Sequence, residues 1–162
     1  MKETAMPTAR SKIEQRLADA GYALPEAMAP VANYVPFVSS GNLVFISGQI
    51  SMGPKGLVTG KVGIDLDTEQ GAHAAGLCAL NLLAQLKKAC EGDLSRVKRC
   101  VKLGGFVNSA PDFTDQPVVI NGCSDMMVLA LGDAGRHARA AVSAPSLPLG
   151  AAVEVDGIFE IS

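Results

Sequence analysis

The stretch His137 to Val155, HARAAVSAPSLPLGAAVEV, holds one arginine, Arg139, at the head of a run of small and apolar residues, and one glutamate, Glu154, near its far end. The planar guanidinium of arginine matches a carboxylate with two parallel hydrogen bonds, and a glutamate can orient or deprotonate a water. The plainer alternative is that they pair with each other or lie in solvent, an interaction worth at most about 1 kcal/mol. Other site chemistries have less support. Cys78, Cys90, Cys100 and Cys123 are widely spaced with no CxxC pair, and His73 and His137 lack metal-ligand spacing. No metal site is expected, and the thiols read as small core-filling hydrophobes. Neither histidine has an obvious nucleophile in sequence.

The 162 residues are enough for one core, and a composition of 48% hydrophobic and 19% charged residues is too apolar for disorder. There is no run of about 18 apolar residues, so no membrane span is expected. A net charge of -2, no tryptophan, two tyrosines and five phenylalanines supply neither the basic field nor the stacking platforms of a nucleic-acid binder. The charged N-terminus MKETAMPTARSKIEQRL has no signal-peptide apolar region, and the expected location is the cytoplasm.

The elements that must position Arg139 and Glu154 can be read in order. TARSKIEQRLADAG predicts a helix capped by Thr8, with Ile13 and Leu17 one turn apart and Gly21 as its stop, an N-terminal extension covering residues 1–30. GNLVFISGQI predicts a strand, and GPKG a hairpin turn after it. From Asp67 to Cys90 the pattern is helical, capped by Thr68 or Asp67 and ended by Gly92, with Ala75, Ala79, Leu82, Leu86 and Ala89 on one face and Asn81, Gln85 and Lys88 on the other. RVKRCVKLGGFVN predicts a strand alternating Val97, Arg99, Val101 and Leu103 against Lys98, Cys100 and Lys102, with Gly104 and Gly105 at a bulge or close contact. A second helix starts at Pro117 and stops near Gly132 or Gly135. In the last strand Val153, Val155, Phe159 and Ile161 share one face and leave Glu154 on the other. The order implies an α+β fold, a mixed sheet with two helices on one side, whose other face requires cover by association.

From about Tyr34 onward the chain resembles the reactive intermediate deaminase (Rid) family, also called YjgF-like or L-PSP endoribonuclease-like. The segments carrying the resemblance are GNLVFISGQI, VNSAPDFTDQPVVIN and RAAVSAPSLPLGAAVEV, the last with an ungapped spacing from Arg139 to Pro148 and Glu154. The resemblance implies a chorismate-mutase-like domain over residues 31–162, a homotrimer, and pockets between subunits. It implies hydrolysis of 2-imino acids to 2-keto acids and ammonia, with no cofactor. Carried over by position, Arg139 anchors the carboxylate, Glu154 holds the water, Tyr34 walls the pocket, Ser47 and Gly48 flank the ligand, Asn121 stands at the start of the second helix, and Ala141 contributes backbone. Where many deaminating members have cysteine, this chain has Ala141. The competing reading is a non-catalytic protein that binds a small carboxylate; RNA cleavage, attached to the family by name, is disfavoured by charge, and a purely structural assembly protein would tolerate loss of Arg139.

Overall fold

The structure is a computed structural model that describes residues 11–30 and 32–162. A five-stranded sheet runs in the order β1 (Phe37–Ser40), β2 (Leu43–Ile50), β7 (Val153–Ile161), β5 (Val97–Asn108), β6 (Ala138–Ala144), antiparallel except for the β5–β6 pair. A small hairpin of β3 (Met52–Gly53) and β4 (Gly56–Leu57) turns at the GPKG sequence. Helices α2 (Thr68–Ala89) and α3 (Gln116–Leu131) cover one sheet face, and α1 (Lys12–Asp19) packs on α3. The expected mixed α+β sheet with two helices on one face is therefore present, with a third, short helix beside them.

Local chemistry explains the helix boundaries. Asp67 and Gln70 form a reciprocal capping box at α2, which satisfies two otherwise unpaired N–H groups. Ser11 and Glu14 do the same at α1; Thr8, the expected cap, lies outside the described residues. Ile13 and Leu17, one turn apart, are buried in the main core, so α1 shares that core with the sheet and the two long helices. Pro117 sits in the first turn of α3, where its missing N–H costs nothing.

Glycine sets the layer spacing. A Cβ on Gly122 would collide with the backbone carbonyl of Ala72, so α3 crosses α2 in backbone contact. A Cβ on Gly105 would stand 2.7 Å from Ile120, so α3 also lies close against β5. By composition the span Gln116–Gly135 is long and apolar enough to cross a membrane, yet its apolar residues Val119, Ile120, Met127 and Ala130 are spent against the rest of the core.

Two sequence-based face assignments are corrected. Asn81 and Gln85 do not face solvent. Asn81 Nδ2 donates to the Ile50 and Met52 carbonyls, and Gln85 Nε2 to the Met28 carbonyl, because the hairpin and the segment before β1 cover that side of α2. Cys100 does not share the exposed face of Lys98 and Lys102. Register shifts at Val97/Arg99 and Cys100/Lys102 reset the alternation and turn Cys100 and Leu103 both into the core.

Candidate active site

Arg139 lies on β6, the edge strand, in register with Leu103 of β5. Leu103 is buried beneath the helices, so the parallel pairing turns Arg139 to the helix side of the sheet. There its guanidinium lies along α3, Nη1 donating to Ser124 Oγ at 3.1 Å and Nη2 to the Pro117 carbonyl at 3.2 Å. Two of its five N–H donors are thus used by neutral acceptors. Among the described residues no carboxylate lies within ion-pair distance of it. Asn121 is exposed on α3 between Pro117 and Ser124, on the helix face that carries both contacts. It stands in the second turn rather than at the start of the helix. Ala141, half-buried, follows Arg139 on the same strand face opposite Gly105.

Glu154 lies on the opposite face. Its neighbours in β7, Val153 and Val155, point into the core, so Glu154 projects from the open side, between Ile50 and Phe106 on the flanking strands. The side chain lies on Gly48: a Cβ there would overlap Glu154 Oε1 and come within 3.0 Å of its Cδ. Partial burial, and secondarily the neighbouring charge of Asp156, push the Glu154 carboxyl above its ordinary range. Such a carboxylate holds a proton more readily and is the better for shuttling one. Ser47 ties this region to the segment before β1, its Oγ donating to the Val35 carbonyl at 2.8 Å and its N–H to the Pro36 carbonyl at 2.9 Å. Tyr34, about half exposed at 49%, stands beside that tether.

The expected site residues therefore fall into two groups, Tyr34, Ser47, Gly48 and Glu154 in one, and Arg139, Asn121 and Ala141 in the other. Within one chain the sheet separates Arg139 from Glu154, which removes the reading in which they pair with each other. The open face between the strands holds a cavity of about 520 Å³ lined by Phe45, Ser47, Gly48, Phe106 and Asp156, among others. Val38, Phe45, Phe106 and Val142 are exposed there, a row of large apolar side chains left uncovered.

Sequence reasoning missed three residues. Asp156 is a second carboxylate on the open face, seated against Gly104 as Glu154 is against Gly48. Partial desolvation raises its pKa, against the Gly104 N–H and Lys102, which lower it. The signal was the Glu-Val-Asp spacing, which puts two acids on one strand face. Ser124 and His137 surround Arg139, and only the β5–α3–β6 crossover brings them together. The four cysteines are all buried, which raises the pKa of each, that of Cys100 to about 12, so none supplies a thiolate at neutral pH. Among the described residues no three His, Cys, Asp or Glu side chains cluster as a metal site would require.

Residues 14–160 match the family model described as "YjgF/chorismate_mutase-like, putative endoribonuclease". The chain belongs to this YjgF-like family. A curated relative, Protein TCP17 of Trypanosoma cruzi, is 46% identical over 159 residues, covering 95% of this chain and 97% of that protein. The crystal structure of Atu1372 from Agrobacterium tumefaciens, a protein of unknown function, is 53% identical, with a TM-score of 0.88 over 93% of each chain. RidA from the Antarctic bacterium Psychrobacter sp. PAMC 21119 is 28% identical, with a TM-score of 0.57 over 84% of this chain and 94% of its own. The YjgF-like match spans nearly all of the described residues, including most of α1.

Proposed function

We propose that the protein hydrolyses small 2-imino acids to 2-keto acids and ammonia, in a pocket that two subunits of a homotrimer complete. The observation carrying this reading is the guanidinium of Arg139, fixed by two neutral acceptors, with no carboxylate beside it and three of its five donors unused among the described residues. A half-buried arginine in that state can take a carboxylate with two parallel, charge-assisted hydrogen bonds. Glu154 lies on the other face of its own sheet, so a second copy must bring its Glu154, Gly48 and Tyr34 up to the β6 edge. The apolar row Val38, Phe45, Phe106 and Val142 is the surface such association would cover.

In the assembled pocket Arg139 holds the substrate carboxylate and the imine carbon faces a water on Glu154. The water oxygen attacks that carbon, the C=N electron pair moves to nitrogen, and Glu154 takes the water proton. Glu154 returns that proton to nitrogen to give the carbinolamine; it then takes the hydroxyl proton and delivers it to the amino nitrogen, the C–N bond breaks, ammonia leaves, and the O–H electron pair closes the keto group. An imine is already electrophilic, so positioning and one proton shuttle are sufficient catalysis. Asn121 and Ser47 supply polar contacts at the two sides of the ligand.

The test is Arg139→Ala, assayed for 2-iminobutanoate hydrolysis with a dehydratase releasing the imine in place. Loss of a charge-assisted contact should cost about 2–4 kcal/mol, a decrease of tens to several hundred fold in kcat/KM. Arg139→Lys should recover part of it, bringing charge without the fork. Turnover unchanged in a folded Arg139→Ala protein refutes the reading. Saturable binding of 2-oxobutanoate without turnover by the wild type would instead make it a carboxylate-binding protein.

A further inference from the structure

Next to Arg139 the structure holds a hydrogen-bonded chain that the proposed reaction does not use. His137 Nδ1 lies 2.5 Å from the Gly135 carbonyl, His137 Nε2 lies 2.8 Å from Ser124 Oγ, and Ser124 Oγ accepts from Arg139 Nη1. A carbonyl only accepts, so Nδ1 carries a proton, and in that tautomer Nε2 is the acceptor. Ser124 must then donate its hydroxyl hydrogen to Nε2, which points a lone pair at the guanidinium. Each of the three links joins one donor to one acceptor, with the polarity running in one direction.

The far end is anchored in backbone. A Cβ on Gly135 would overlap the Met127 carbonyl of α3, so this turn is pressed against the helix and its own carbonyl cannot drift. Gly135 therefore fixes His137, His137 fixes the rotor of Ser124, and Ser124 with the Pro117 carbonyl fixes the plane of Arg139.

We propose that Ser124 and His137 are positioning residues for the carboxylate anchor, holding the Arg139 guanidinium flat along α3 with its remaining N–H groups presented to the ligand. An arginine side chain loses several rotamers on binding; one already held in place loses fewer, and the ligand binds more tightly by that difference. The proposal deepens the carboxylate-pocket reading and rests on it for its effect on ligand. Ser124 is not the nucleophile of a serine hydrolase in this arrangement: it lies inside α3, past the first turn where free backbone N–H groups could hold an oxyanion.

The experiment compares wild type, Ser124→Ala, Ser124→Thr, His137→Gln and Arg139→Ala. Calorimetry with 2-oxobutanoate and imine hydrolysis kinetics report on function, and NMR of rotation about the Arg139 Nε–Cζ bond reports on the anchor with no ligand present. Ser124→Ala and His137→Gln should raise Kd and KM about 5- to 20-fold with little change in kcat, the signature of lost ground-state anchoring. Ser124→Thr, which keeps the hydroxyl, should stay near wild type. Rotation should be restrained in wild type and freed in Ser124→Ala. Equal rotation in both overturns the relay whatever the ligand does, and so does unchanged Kd in Ser124→Ala beside lost binding in Arg139→Ala. Unchanged binding in Arg139→Ala with restrained wild-type rotation refutes the carboxylate pocket and leaves the relay standing as geometry. Labelling of Ser124 by a fluorophosphonate probe would make it a nucleophile and overturn the positioning role.

Discussion

Gly48→Ala separates the two halves of the proposed site with a single methyl group. The new Cβ would overlap Glu154 Oε1 and come within 3.0 Å of Cδ and 3.1 Å of Cγ. Reaching ordinary van der Waals contact requires the carboxylate to retreat by about 1 Å. Gly48, at the register shift of β2, does not have the positive φ that would bar a side chain, and the obstructing atoms are the far end of a flexible side chain, so the fold should yield cheaply, losing no more than about 1 kcal/mol. A 1 Å misplacement of a catalytic group costs about 100-fold in rate. The expected outcome is a kcat for imine hydrolysis lowered about 100-fold, approaching that of Glu154→Gln, while calorimetric affinity for 2-oxobutanoate, set by Arg139, stays within about threefold. Thermal melting and sedimentation should match wild type. A Gly48→Ala protein with wild-type kcat, in which a crystal structure shows the carboxylate displaced, would refute Glu154 as the water-handling group.

Three further outcomes are expected. Phe106→Asp, which places a charge in the apolar row of the open face, should yield a monomer in sedimentation at micromolar concentration and abolish turnover; an active monomer removes the intersubunit pocket. Gly122→Ala should destabilise by about 3 kcal/mol or more in urea unfolding, since the obstruction is the Ala72 backbone and not a side chain that can swing away. Glu154→Gln should gain stability over wild type as pH rises from about 4.5: the native carboxyl has a raised pKa, so the folded chain binds the proton more tightly than the unfolded one, and ionisation costs stability above the unfolded value. The difference should stay below about 1 kcal/mol because the group is only half-buried, and vanish in more acid buffer; a difference of opposite sign at neutral pH would show that the ionised Glu154 is stabilised by a partner.

The secondary elements were largely legible because their signals are local. An Asp-x-x-Gln box opens α2, a proline in the first turn opens α3, and the apolar run of β2 ends at a register shift between Ile46 and Gln49. What failed was the assignment of faces wherever non-local packing decides. Asn81 and Gln85 read as solvent residues by periodicity, but each holds a backbone carbonyl of the segments folded over α2. Cys100 read as outward because a strand's alternation cannot be followed through a bulge that leaves no mark in the sequence.

The site shows the same division more sharply. Glu154 could be placed from sequence, since the buried alternation of Val153, Val155, Phe159 and Ile161 leaves only the other face for it. Arg139 could not. Strand β6 reads Ala-Arg-Ala-Ala-Val-Ser-Ala, with no alternation to say which side is inward, and its orientation comes only from pairing with β5, Leu103 against Arg139 and Gly105 against Ala141. That register puts the guanidinium under α3 and within reach of Ser124, a contact between residues 15 apart in sequence that no motif advertises. It also puts the sheet between Arg139 and Glu154, so a linear spacing that looks like one site is, in a single chain, two half-sites facing opposite ways. The requirement for a second copy thus follows from strand parity before any interface is considered: if both residues serve one ligand, they must come from different subunits. Mixing an Arg139→Ala chain with a Glu154→Gln chain therefore should restore activity to the mixed assemblies, through the pocket that pairs the intact Arg139 of one subunit with the intact Glu154 of the other. In a trimer with one chain of one kind and two of the other, at most one of the three pockets is intact, so recovery should reach about a quarter of wild-type turnover at equal, random mixing. No recovery after subunit exchange has been verified would place both residues in the same chain's site and contradict the parity argument.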